Sequence, residues 1–211
     1  MKIFVVGTGR VAKCVIDKLT ANGHTTTCGS RHPESIAETE LCKPILFDIH
    51  AEKNEIAKKV KGFDAVYFLA GSRGKDLLQT DAFGAVKLMQ ACEAVGIKRF
   101  ILLSSIFALE PEKWAQEKSL QNITNYNIAK FFADNYLVSC TDLDYTIVQP
   151  SVLQEVDGTG LIELDPEHDG ANPIPDVAEV LVSVLEMENT FKKVIKMRSG
   201  HTPIRSALEN M

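Results

Sequence analysis

The chain has 211 residues, of which 45% are hydrophobic and 24% charged, and carries a net charge of −5. This length and composition suit one globular domain. The acidic balance argues against a nucleic-acid surface, no run nears the roughly 18 apolar residues of a membrane span, and the few apolar residues before Gly7 make no secretory leader. The five cysteines (Cys14, Cys28, Cys42, Cys92, Cys140) are scattered without C-x-x-C spacing, and the five histidines show no ligand spacing. They read as reduced thiols in a cytoplasmic protein without a metal.

Strand and helix signals alternate along the chain. The apolar run Ile3 to Val6 reads as a buried strand. Gly7-Thr8-Gly9-Arg10-Val11-Ala12 follows, and Val11, Val15 and Leu19 then recur at four-residue spacing, a helical pattern ended by Asn22-Gly23. Strand, glycine turn and helix form the context in which G-x-G-x-x-A binds a dinucleotide. Gly7 permits the turn, Gly9 lets a pyrophosphate approach the backbone, and Ala12 lets helix and strand pack. The free N–H groups of the helix start then face the phosphates.

Thr25 to Cys28 is predicted as a second strand and Lys43 to Phe47 as a third, followed by a helix over Glu52 to Val60. The nearly all-apolar Ala65 to Leu69 suits a strand covered on both faces. Asp76 to Val95 is predicted as one long helix with Leu77, Leu78, Ala82, Ala85, Leu88, Met89 and Cys92 as its apolar stripe. Further strands are predicted over Arg99 to Leu103, Asp144 to Val148 and Lys193 to Met197. Further helices are predicted over Ile128 to Val138, Asp176 to Glu186 and Pro203 to Leu208. The alternation implies an α/β fold, a doubly wound parallel sheet in a single domain (1–211) with a short C-terminal extension. Two stretches, 106–125 and 151–174, show no regular pattern and read as long loops.

Ligands of such sheets bind beyond the carboxyl ends of the strands. At the second strand end, where an NAD site needs an acid, stands Cys28-Gly29-Ser30-Arg31. Arg31, with Ser30 and Arg10, suits a 2′-phosphate, so NADP is expected in preference to NAD. Asp48 ends the third strand, either as an acceptor for adenine or as a helix N-cap. Ala70 and Gly71 let the fourth strand end run close to a cofactor, and Arg73 and Lys75 are candidates to meet an anionic substrate. Beyond the fifth strand lie Ser104 and Ser105, then Tyr126 and Lys130. Tyr and Lys at i and i+4 share a helix face, the geometry of a proton donor helped by a cation.

Taken together, these features resemble the short-chain dehydrogenase/reductase superfamily, and within it the small atypical branch of biliverdin/flavin reductase-like and NmrA-like NAD(P)H-binding proteins. The likeness rests on Gly7 to Ala12, Asp48, Phe63 to Val66, Gly96 to Phe100, Ser104-Ser105, Tyr126 with Lys130, Tyr145 to Pro150 and Ile174 to Ala178. The branch usually carries Gly-x-x-Gly-x-x-Gly, and the loop here is one residue shorter. The resemblance implies a Rossmann fold in which Gly7, Thr8, Gly9, Arg10 and Val11 hold the cofactor phosphates and Arg31 the 2′-phosphate. Asp48 and Ile49 would border adenine, and Ala70 and Gly71 the ribose. Ser104, Pro150 and Val152 would complete the cofactor site, with Lys130 on the nicotinamide ribose. Tyr126 would be the acid, aided by Lys130, with Ser105 as the substrate-side serine. Too little chain follows the sixth strand for a large substrate domain, so 106–125 and 151–174 must build the substrate pocket. Phe107, Trp114 and Leu153 are expected as its apolar walls, and Glu155 or His168 as its polar groups. The expected function is hydride transfer from NADPH to a small carbonyl, quinone, flavin or related acceptor. Two alternatives are a non-catalytic NADP(H) sensor and an interaction domain on a relic fold. A small-molecule substrate is the expected partner, with no nucleic acid and no membrane; oligomeric state stays open.

Overall fold

Along the first strand of the computed structural model, which describes residues 1–211, side chains alternate between two separate cores. Ile3 and Val5 enter one and Phe4 and Val6 the other, all at most 3% exposed. A strand that must bury both faces cannot spare a polar position, which is why these residues read as a continuous apolar run.

The strands are β1 (Lys2–Val6), β2 (Thr25–Ser30), β3 (Cys42–Leu46), β4 (Ala65–Phe68), β5 (Arg99–Leu103), β6 (Asp144–Pro150), β7 (Val152–Gln154), β8 (Leu161–Leu164), β9 (Ala171–Pro173), β10 (Lys193–Ser199) and β11 (Thr202–Pro203). The helices are α1 (Arg10–Ala21), α2 (Lys53–Val60), α3 (Phe83–Ala94), α4 (Thr124–Cys140), α5 (Ile174–Ser183) and α6 (Ile204–Glu209). The main sheet runs β11-β8-β10-β6-β5-β4-β1-β2-β3. From β3 to β10 every neighbouring pair is parallel; β8 and β11 close the far edge antiparallel. This is the predicted doubly wound Rossmann architecture. The chain moves from β1 outward to β3, then returns to β4 on the other side of β1, so the winding reverses between β1 and β4. Helices α1 and α5 cover one face, and α2, α3 and α4 the other. No helix is long and apolar enough to cross a membrane.

Three expectations are corrected. The stretch 151–174 holds β7, β8 and β9, strands too short and too polar to show a period. Helix α4 begins at Thr124, not Ile128, so Tyr126 and Lys130 both lie on it. The long helix is not continuous from Asp76: Leu77–Ala82 forms a π-helical turn before α3. In that turn Thr80, Asp81 and Ala82 are all buried, whereas Leu78, assigned to the apolar stripe, is 74% exposed. Widening the helix turns three consecutive residues inward, which 3.6 periodicity cannot reproduce.

At the amino end of the sheet, Arg99 is 6% exposed. It donates to the carbonyls of Val184, Leu185 and Asp144 and to Thr146 Oγ1, and lies over the Phe191 ring at 4.2 Å. Burial lowers its pKa to about 10, still far above neutrality. One cation thus ties β5, β6 and the end of α5 together. Arg99→Met strands several carbonyls and is expected to cost ~3 kcal/mol. Thermal denaturation should show a Tm lower by several degrees, with dinucleotide affinity unchanged because the site lies at the opposite end of the sheet.

Candidate active site

The site begins with the close approach of two strand ends. Gly7 has φ +117°, and a Cβ placed there would come within 2.8 Å of the Ala70 backbone nitrogen. Its N–H donates to Gly29 O at 3.0 Å. Thr8 Oγ1 and Ser30 Oγ are 3.2 Å apart, and His32 N–H donates to Ser30 Oγ. The glycine turn is thus stapled to the end of β2, which carries Arg31. Gly9 caps α1 in ordinary extended geometry; a Cβ on it would meet nothing within 4 Å, and the helix has no acidic residue in its first turn. Open space before a helix start without a carboxylate is a cradle for an anion.

Two adjoining cavities lie over these strand ends, of about 300 and 340 Å³. The smaller is bordered by Gly7, Thr8, Gly9, Ser30, Arg31 and Ile49; the larger by Gly9, Arg10, Val11, Ser104, Ser105, Tyr126, Lys130, Pro150 and Val152. Ala70, Gly71 and Arg73 form the saddle between them. One cleft therefore gathers every residue assigned from sequence to cofactor binding or catalysis except Asp48. That residue is exposed and does not border the cleft; its carboxylate accepts the His50 N–H at 2.9 Å. Nor does it cap α2, whose N-cap is Glu52. Lys75 also lies outside the cleft walls.

Lys130 is 4% exposed. Its ammonium donates to Leu103 O at 3.3 Å, lies 4.0 Å from Asp81 Oδ1, and sits 5.6 Å from the centre of the Tyr126 ring. Asp81 is fully buried and accepts the Ser72 N–H at 3.0 Å, so it also fixes the loop after β4. Behind Lys130 on α4, Asp134 is fully buried too, accepting from Gln149 Nε2 at 2.8 Å. Burial pushes the Asp134 carboxyl up to about 6, against the pull of Ser104, Gln149 and Lys130. Neither Asp81 nor Asp134 stands out in the sequence reading. The signal for Asp134 is the i, i+4, i+8 series Tyr126, Lys130, Asp134; for Asp81 there is none, because the π turn hides its face. Along the cleft, Ser104 Oγ, Ser151 Oγ, Ser72 Oγ and Asp81 Oδ1 are buried without a hydrogen-bond partner. Such a row of unpaired polar groups fits a polar, many-oxygened cofactor.

The substrate side differs from expectation. Phe107 is buried, with φ +55°, and lies behind the cleft rather than in it; Trp114 Nε1 donates to its carbonyl at 2.9 Å. Both pack within the 106–125 segment because Leu120 and Ile106 supply an apolar centre there. Leu153 does line the cleft, together with Ile106, Leu120 and Ile123. Glu155 forms an ion pair with Arg10 but does not itself border the cleft. His168 pairs with buried Glu117 at 3.1 Å, and Glu117 also accepts the Asp169 N–H, latching the two long segments together.

A doubly wound sheet, a glycine turn at its switch point and a polar cleft over the strand ends define a dinucleotide-binding protein. Residues 7–188 match the NAD(P)H-binding family. The chain is 44% identical to the oxidoreductase ylbE from Lactococcus lactis, with a TM-score of 0.96 over 100% of this chain and 96% of that one. It is 34% identical to the protein YMR090W of Saccharomyces cerevisiae, covering 100% of this chain and 99% of that protein. It is 31% identical, over the full length of both, to the uncharacterized sugar epimerase YhfK of Bacillus subtilis. The chain belongs to the NAD(P)H-binding family.

Two substitutions separate folding from binding at the glycine turn. Gly7→Ala collides with backbone and is expected to lower both Tm and cofactor affinity. Gly9→Val fits the free protein but fills the phosphate approach, so NADPH fluorescence titration should show at least a tenfold weaker Kd with Tm unchanged. Asp134 gives a pH-dependent test. Its acid is raised in the folded state from the usual 3.8 to about 6. Between those values the native protein keeps a proton that the unfolded chain has released, so this group's contribution to stability is greatest below 3.8 and is lost as pH rises to about 6. Asp134→Asn stays neutral throughout, and its Tm advantage over the parent should grow by a few degrees from pH 4 to pH 7.

Proposed function

We propose that this chain is an NADPH-dependent reductase acting on a small carbonyl, quinone, flavin or related acceptor. The observation that carries the reading is the convergence, in one cleft, of the Gly7–Val11 turn, Arg31, Ser105, Tyr126 and Lys130. A bound NADPH supplies a hydride, that is, two electrons and one hydrogen nucleus, leaving NADP⁺. The chain supplies the rest. Arg31, at the Ser30 staple, holds a 2′-phosphate by a forked pair of hydrogen bonds, which favours NADPH over NADH. Lys130, fixed by Leu103 O and Asp81, orients the ribose and places its charge beneath Tyr126. Tyr126 gives its proton to the acceptor oxygen as hydride arrives at carbon, and Ser105 holds that oxygen through its hydroxyl. Ile106, Leu120, Ile123 and Leu153 make the acceptor side apolar, which excludes water and favours a flat, weakly polar molecule.

Titration with NADPH and NADH, followed by turnover on quinones, flavins and aldehydes, tests the reading. NADPH should bind more tightly than NADH, and Arg31→Ala should erase about tenfold of that preference. Tyr126→Phe should cut kcat about 100-fold while NADPH affinity is kept. Binding without turnover on any acceptor would make the protein a dinucleotide sensor, and equal turnover by Tyr126→Phe would remove that residue from the chemistry.

A further inference from the structure

Three ionisable side chains lie buried inside the protein: Asp81, Lys130 and Asp134, with exposures of 0%, 4% and 0%. One ammonium can balance one carboxylate. A second buried carboxylate adds a net negative charge where water cannot screen it. Asp81 is the acid near Nζ, at 4.0 Å, and is further satisfied by the Ser72 N–H. Asp134 lies one turn further along α4 than the lysine and is likewise buried. The groups facing it are the neutral Gln149 from β6, the neutral Ser104 at the end of β5, and Lys130 on its own helix, the single charged side chain acting on it. Its Oδ1 and the Ser104 hydroxyl are both buried without a hydrogen-bond partner.

We propose that Asp134 is a positioning residue for proton transfer at Tyr126: by holding or releasing one proton it sets the charge balance around Lys130, and its neutral form is the working one. With Asp134 neutral, the field of the ammonium is offset by Asp81 alone and reaches the Tyr126 ring 5.6 Å away. It then stabilises the negative charge that grows on the Tyr126 oxygen as the proton leaves. With Asp134 ionised, a second anion offsets that field from within the protein, and proton transfer slows. Burial holds the Asp134 acid up to about 6, so the change falls near neutral pH. The kinetic consequence rests on the reductase reading; the coupling of Asp134 to Lys130 and Ser104 does not.

The test uses the full chain. Infrared spectra of the cofactor-free protein are recorded across pH 4–9, following the C=O stretch of a protonated carboxylic acid. A band titrating near neutrality and absent from Asp134→Asn is expected. Lys130→Met and Ser104→Ala should each move that titration upward, because each removes a group that favours the ionised form. With NADPH and an acceptor, kcat should fall about tenfold on the alkaline side of the same titration, and Asp134→Asn should lack that limb. Tm and dinucleotide affinity serve as controls for folding. Absence of the band, a titration indifferent to Lys130→Met, or an alkaline limb that persists in Asp134→Asn each overturns the proposal. If no acceptor is reduced, the reductase reading fails by itself, and the Lys130→Met shift, read with Asp134 in place, still decides the coupling.

Discussion

The whole site depends on one place where two backbones come too close for a side chain. At the reversal of winding, the end of β1 and the end of β4 separate only after Gly7 has passed Ala70 at a distance that excludes a Cβ. That contact brings the start of α1, the end of β2 and the loop after β4 around one cleft. The Gly7 N–H to Gly29 O bond and the Thr8–Ser30 contact then fix the turn against its neighbour. A rigid anion cradle follows from the topology and one residue without a side chain, before any charged group takes part.

The other half of the cleft is governed by charge rather than by backbone. Lys130 lies nearly out of water, and such an ammonium persists only among acceptors that compensate for lost hydration. Leu103 O and Asp81 provide them, and Asp81 is delivered by a π turn that breaks the helix before α3. The local irregularity thus serves the buried cation. The same carboxylate holds the loop after β4 through Ser72, so the saddle between the two cavities and the lysine share one anchor. The unpaired hydroxyls of Ser104 and Ser151 lie along the same wall and leave hydrogen-bonding capacity facing the cofactor half of the site.

Sequence reasoning reaches what repeats and what is local. The apolar runs of β1, β4 and β5, the spacing of Val11, Val15 and Leu19, and the Gly7 to Ala12 turn each carry their signal within a few residues. The Tyr126–Lys130 pair is legible because four residues make a helical turn, although the predicted start of the helix falls beyond Tyr126. What escapes reading depends on contacts between distant segments. Asp81 points inward only because of the π turn, and Phe107 and Trp114 turn away from the cleft because Leu120 and Ile106 draw them into a small core of their own. Asp48 matches a pattern but bonds to His50 two residues on, a local competitor that no spacing rule reveals. Strands β7, β8 and β9 have three or four residues each, below the length at which alternation shows.

Strand β3, one border of the main sheet, pairs with β2 alone and contains Pro44. The Cys42 N–H turns away from β2 to reach Thr39 O, so two residues on, the ring of Pro44 sits where an outward N–H would stand. The opposite border, β11, ends in Pro203. Both margins of a nine-stranded sheet therefore lack a donor that an incoming strand needs. A sheet so bordered does not grow by recruiting a strand from another molecule. Copies of this protein are thereby guarded against edge-to-edge pairing of their main sheets.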